Sequence, residues 1–296
     1  MISIIICSIN EALFQQTELN INSTIGIAYE VIKIDNANNN LSICDAYNAG
    51  AAKAKFPYLC FVHEDVIFTS TNWGLPLINK LRSDSTVGVI GIAGSKYKSL
   101  SPGAWPCGDN ELDCYNIIQH YTGENKKALQ INNPEKGQEY VEVKTLDGVF
   151  LFTKKNIWSQ YQFDNNTFKG FHCYDLDFCL NVGKTHKLLV AYNISIEHLS
   201  TGNLNREWVK ESILLSKKWK DHLPVGSLPR QKMIMMEWGK KRHFFLSMLI
   251  YGSTLKEAVA VLLDFGYFKF FYLPGNIAFA IEIYKSRVKK LIGKFS

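Results

Sequence analysis

The sequence predicts an α/β protein with a mostly parallel central sheet, and three observations carry that prediction. Short apolar runs recur through the first ~200 residues, helix-like segments separate them, and acidic groups stand where several runs end.

Residues 3–7 form the first run, continuous and β-rich, as expected for a strand covered on both faces. Residues 29–34 (YEVIKI) and 58–62 (YLCFV) follow, and then 87–93 (VGVIGIA), where glycines permit close packing. Helices are expected between them at 11–24, 42–55 and 72–83. Residues 95–146 break the rhythm with Gly, Pro, Asn and polar groups, and read as a long functional or mobile loop. Regularity returns with a strand at 148–153, a helix at 175–186, a strand at 188–196 and an amphipathic helix at 205–222. Beyond Pro224 the chain turns basic and aromatic, which divides it into a catalytic domain at 1–225 and an apolar, basic extension of two or three helices at 226–296.

The bulk numbers agree with a folded protein. Of 296 residues, 47% are hydrophobic and 20% charged, with a mean hydropathy of −0.07. Disordered and collagen-like classes are excluded. Residues 1–205 carry 16 basic and 20 acidic groups, whereas residues 206–296 carry 17 and 7. The basic part is therefore expected to face something anionic. Seven cysteines without a CxxC pair suit a reducing compartment. The opening run is too short for a signal segment and no uninterrupted apolar stretch is long enough to span a bilayer, so a cytoplasmic location is expected.

Chemistry-bearing residues cluster at three places. His63-Glu64-Asp65 follows the 58–62 run, so a strand delivers carboxylates to its C-terminal end, where open α/β sheets bind ligands. A diphosphate there needs a hard cation, and the cation needs carboxylate oxygens. The alternative is a solvated loop. His172-Cys173-Tyr174-Asp175-Leu176-Asp177 opens a helix; one acid would suffice as a cap, and the second could serve as a general base. Glu197-His198 ends a later strand, where an imidazole could be structural or join the same cation. Asp35-Asn36 ends the second strand as either a turn or a contact to a base or ribose.

Taken in order, these segments resemble the inverting GT-A glycosyltransferases of the family 2 type. Cys7-Ser8-Ile9-Asn10 stands where that family has Pro-Thr-Tyr-Asn, Ala46-Tyr47-Asn48-Ala49-Gly50 resembles its Ala-Arg-Asn-x-Gly helix, and His63-Glu64-Asp65 stands for its Asp-x-Asp. Gly148 begins a strand near the acceptor site, Tyr174-Asp175-Leu176-Asp177 resembles Glu-Asp-x-Asp, and His198 matches the late metal-site histidine. The His-x-Tyr-Asp-x-Asp form looks like a bacterial glycosyltransferase-like branch. The resemblance covers about residues 2–205. It implies a GT-A (nucleotide-diphospho-sugar transferase) fold and a hexosyltransferase taking a UDP-, GDP- or dTDP-sugar. It also implies Ser8, Asn10, Asp35 and Asn36 on the nucleotide, Asp65 with Glu64 and His198 on Mn²⁺ or Mg²⁺, and Asp175 as the base. His63, Gly148, His172, Tyr174 and Asp177 would lie near donor and acceptor. His63, Tyr174 and Tyr47 depart from the family's Asp, Glu and Arg.

The expected acceptor is a saccharide or a lipid-linked one, in surface polysaccharide or glycolipid assembly. Residues 230–243 combine cations with Met and Trp, which suits an anionic membrane surface at the inner face, or else packing on the catalytic domain. No base-reading motif accompanies the charge, so nucleic acid is not expected. Two other readings are a nucleotidyltransferase, disfavoured by Ser8-Ile9-Asn10-Glu11 in place of a Gly-rich basic loop, and a scaffold with an eroded transferase site.

Overall fold

The computed structural model describes residues 1–120, 128–132 (as backbone), 137–200, 202, 204–265, 275 and 281. The chain runs β1 (Ile2–Ser8), α1 (Glu11–Thr24), β2 (Tyr29–Asp35), α2 (Ile43–Lys53), β3 (Tyr58–Val62), β4 (Val66–Phe68), α3 (Gly74–Ser83), β5 (Val87–Gly91) and β6 (Ala93–Ser95). There follow β7 (Asp113–His120), β8 (Ala128–Asn132), β9 (Tyr140–Val143), β10 (Thr145–Leu146), β11 (Phe150–Lys154) and α4 (Lys155–Tyr161). The last part holds α5 (Tyr174–Val182), β12 (Lys187–Ala191), β13 (Ile196–His198), α6 (Arg206–Lys218), α7 (Arg230–Ile250) and α8 (Leu255–Asp264).

The main sheet has the order β2-β1-β3-β11-β5-β12-β9. Strands β2, β1, β3, β5 and β12 share one direction, and β11 and β9 run against them. The sheet is buried on both faces, and side-chain alternation sorts each strand between two cores. Ile4, Ile6, Cys60 and Val62 join Phe14 and Ile21 of α1 and Leu77 and Leu81 of α3. Ile5, Leu59 and Phe61 meet Ile43, Ala46 and Tyr47 of α2 from the other side. This three-layer α/β arrangement is the fold class the sequence predicts.

Three expectations are corrected. Residues 95–146 are not one loop: β7, β9 and β10 lie there, together with β8, and β7 is central to a second sheet ordered β10-β6-β7-β13-β4. β9 pairs with β12, β10 with β6 and one side of β7 with β13, all distant in sequence, so no local periodicity marks them. The expected strand at 188–196 is two strands in two sheets, β12 and β13. Between them the Asn116 side-chain amide donates to the carbonyls of Tyr192 and Ile194 and fixes the turn. The expected strand at 87–93 likewise divides into β5 and β6.

The C-terminal helices pack on the rest of the protein. On α7, Glu237 Oε1 accepts from the Tyr97 hydroxyl at 2.6 Å and from the Leu100 N–H at 3.2 Å. Lys240 Nζ donates to the Pro106 carbonyl at 2.6 Å. Trp208, Val209, Phe244, Phe245, Met248 and Ala258 bind α6, α7 and α8 into a third core. Among the described residues no helix is long and apolar enough to cross a membrane. Lys269, Lys285, Lys289 and Lys290 of the basic extension lie outside the described residues.

Candidate active site

Strand β3 carries the chain to His63, and after the Glu64-Asp65 turn β4 pairs antiparallel with β13, so that His198 faces Val66. That register brings His198 beside Asp65, and the Leu199 N–H closes on the Asp65 carbonyl at 3.0 Å. His198 Nε2 stands 3.5 Å from Asp65 Oδ1, and the His63 and His198 rings are 5.8 Å apart at their centroids. One potential ligand atom from each of His63, Asp65 and His198 lies within 4.8 Å of the other two. Two imidazoles and a carboxylate converging in this way form a donor set that fits a divalent cation.

The surroundings orient these groups. His198 Nδ1–H donates to Gln119 Oε1 at 3.1 Å, and Gln119 Nε2 in turn donates to the carbonyls of His120, His198 and Ser200. This leaves Nε2 of His198 facing Asp65, the arrangement by which outer hydrogen bonds aim a ligating imidazole. The Ser200 hydroxyl donates to the second Asp65 oxygen. Burial would raise the Asp65 carboxyl, but the His198 hydrogen bond and the His63 and His198 charges outweigh it and hold it well below the usual range. Burial, then repulsion from His198, depresses His63. Burial also opposes the charge on His198, but Asp65 overcomes it and raises that group.

A second group of residues lies across a shared wall. His63 Nε2 is hydrogen-bonded to the Tyr174 hydroxyl at 2.9 Å. A cavity of about 190 Å³ on one side is lined by Cys7, Ile9, Tyr47, Glu64 and Asp65, and one of about 340 Å³ on the other by Trp105, Asp147, Gly148, His172 and Asp175. His63, Phe171 and Tyr174 line both. Antiparallel pairing of β11 with β3 accounts for the second cavity, because it sets the residues preceding β11 beside the end of β3; the His63 N–H bonds the Val149 carbonyl at 3.2 Å.

Asp175 sits in the first turn of α5, partly buried, and accepts from the Gly148 N–H at 2.9 Å and the Leu176 N–H at 2.8 Å. Burial and, after it, the negative charge of Asp147 push its carboxyl up to about 7, despite those hydrogen bonds. Asp147 is itself held by the Trp105 indole N–H and the Val149 N–H. Cys173, just before α5, adopts the left-handed conformation at φ 61° without a side-chain cap, a local strain of the kind found at functional sites.

Residues 3–217 match the family described as "Glycosyltransferase like family". The chain belongs to that family. No curated protein matches the chain in sequence. Among solved structures it resembles GalNAc-T7, crystallised with UDP, GalNAc and Mn²⁺, at a TM-score of 0.51 and 11% identity, over 90% of this chain and 55% of that one. The chain therefore shares the GT-A fold and spans about half the length of that neighbour.

The fold brings Asp65 and His198 together with His63, and places Gly148, His172 and Tyr174 around Asp175. Other residues singled out in the sequence also hold local contacts. Glu64 Oε2 accepts from the Ile9 and Asn10 N–H groups at 3.1 and 3.0 Å. Asn10 caps α1 through Ala12 and Leu13. Asp35 accepts from the Ala37 N–H, Asn36 closes a turn with Leu41, and Ser8 is buried at the end of β1. Asp177 faces α6, where it accepts from Lys218 Nζ and the Trp219 indole. Asp147, Trp105 and Gln119 were not singled out by the sequence reading. Asp147 directly precedes Gly148 and was within reach of it; Gln119 lies in the stretch read as loop.

Proposed function

We propose that this glycosyltransferase is an inverting enzyme that moves a sugar from a nucleotide-diphosphate-sugar (UDP-, GDP- or dTDP-linked) to an acceptor hydroxyl, in surface polysaccharide or glycolipid assembly at the inner face of the membrane. The observation that carries the reading is the pairing of a cation-ready His63–Asp65–His198 cluster with a partly buried carboxylate, Asp175, across one shared wall.

A divalent cation held by His63, Asp65 and His198 would neutralise charge on the departing nucleoside diphosphate. The donor set, with two nitrogens, favours Mn²⁺ over Mg²⁺, which prefers all-oxygen sites. Asp175 accepts the proton of the acceptor hydroxyl as its oxygen bonds to the anomeric carbon and the bond from that carbon to the diphosphate oxygen breaks. A carboxyl raised to about 7 is a stronger base than an ordinary aspartate and is still substantially ionised near neutrality. The backbone N–H groups of Gly148 and Leu176 fix its oxygens, and Tyr174 fixes His63 from the same wall. Trp105, Phe171 and His172 enclose the space in which an acceptor would sit.

The test is nucleoside diphosphate release from a panel of UDP-, GDP- and dTDP-sugars with Mn²⁺, followed by NMR of the product's anomeric configuration. Inversion is expected, and Asp175→Asn should lower turnover by at least about 10²-fold while donor binding persists. Pyrophosphate release would instead support a nucleotidyltransferase, and wild-type turnover in Asp175→Asn would remove the base.

A further inference from the structure

Asp147 stands beside the base without sharing its task. It directly follows β10, and its own N–H bonds the Ala93 carbonyl at 2.9 Å, so the second sheet fixes its backbone. Its side chain accepts from the Val149 N–H through Oδ1 at 2.8 Å and from the Trp105 indole N–H through Oδ2. An ionised carboxylate offers about four acceptor positions, two on each oxygen. These two bonds therefore aim the group and leave each oxygen able to accept once more.

The free capacity faces the acceptor side of the site. Asp147 and Asp175 line the same cavity of about 340 Å³. Asp175 Oδ2 accepts from the N–H of Gly148, the residue after Asp147, so the two carboxylates flank one peptide. Among the described residues, no Lys or Arg lines this cavity. Its imidazoles, His63 and His172, are both depressed by burial and stay neutral near neutrality. The field at this wall is negative, and an anionic group brought against it would be repelled. Trp105 and Phe171 line the cavity as well, and Phe171 is 49% exposed. Aromatic faces beside a few fixed polar groups suit an uncharged polyol ring, with its C–H faces and O–H edge.

We propose that Asp147 selects the acceptor: it accepts a second hydrogen bond from the accepting sugar, from a hydroxyl or an ammonium beside the hydroxyl that attacks, and it turns away sugars that carry an anionic group there. The inference rests on the glycosyltransferase reading and narrows its acceptor to a sugar that is neutral or amino-bearing at the reacting end, not a uronate. Asp175 takes the proton, and Asp147 fixes which face and edge of the ring are presented to it.

The experiment titrates the full chain, with UDP and Mn²⁺ present, with methyl β-glycosides of glucose, glucosamine and glucuronic acid and of their galacto counterparts, followed by ligand-observed NMR. In at least one series the neutral and amino glycosides should bind, and the uronate at least about tenfold more weakly. Asp147→Asn removes the charge and should narrow that gap at least about threefold, whereas Asp147→Glu keeps the charge and should preserve it. The gap is a ratio within each variant, so a loss of folded protein does not move it. Nucleoside diphosphate release from the donor panel by the wild-type chain, without glycoside, tests the transferase reading separately. A uronate bound as tightly as its neutral partner, a gap unchanged in Asp147→Asn or narrowed equally in Asp147→Glu, or binding of none of the six glycosides overturns the proposal.

Discussion

At the residue scale, Gly148 is the tightest point of the site. A Cβ there would stand 2.1 Å from the Tyr174 hydroxyl oxygen and 2.5 Å from its Cζ, and Tyr174 is buried, so neither can yield cheaply. Gly148→Ala should therefore cost about 1–3 kcal/mol by overpacking, read in urea unfolding. It should also lower turnover by roughly 10²-fold, since displaced Tyr174 releases His63. Normal turnover would show that the Tyr174 position is not needed. Asp175 makes a prediction of opposite kind. Its folded carboxyl is raised from an ordinary 3.8 to about 7, so the protonated form is favoured in the folded state. The stability this provides is complete below about pH 4 and is lost as pH rises toward 7. Turnover should rise with pH through about 7 as the base ionises, and Asp175→Asn should flatten the fall in melting temperature across the same window. A wild-type profile already flat between pH 6 and 8 would contradict the burial of this group.

At the element scale, α7 decides whether the C-terminal region is an appendage or part of the machinery. Glu237 is fully buried and supplies the acceptor for Tyr97 and Leu100 in the segment leading to Trp105 and Pro106. Glu237→Ala would leave a buried hydroxyl and a backbone N–H unpaired, at about 1–3 kcal/mol. Because Trp105 holds Asp147, the loss should also raise the acceptor KM more than the donor KM. Equal effects on both would mean that α7 matters for stability alone. Glu237→Gln, which keeps an acceptor oxygen, should restore most of the difference.

At the scale of the whole molecule, the candidate cation site joins the ends of strands from two sheets. His63 and Asp65 follow β3 of the main sheet, and His198 ends β13 of the second. An ion bound there stabilises only the folded arrangement, by about 2.7 kcal/mol at a hundredfold excess over its Kd. Mn²⁺ should therefore raise the melting temperature of the wild-type chain by several degrees, Mg²⁺ less, and His198→Ala should abolish the rise. A melting temperature indifferent to Mn²⁺ at millimolar concentration would leave the cluster without a cation.

The amino-acid sequence by itself determined the α/β class, because apolar runs and the helices between them are local patterns, and it marked Asp65, Asp175 and His198 because strand and helix ends are legible locally. The tertiary structure decided what no local pattern contains. Within 95–146, β9 and β10 formed by pairing with the distant β12 and β6, and the run at 188–196 was divided by a side chain from residue 116. His63 entered the cluster, Glu64 turned to the Ile9 and Asn10 amides, and Asp177 turned to α6, although adjacent residues look equivalent in sequence. Which neighbour faces the cavity depends on strand register and helix phase, and both are fixed by packing against elements far along the chain.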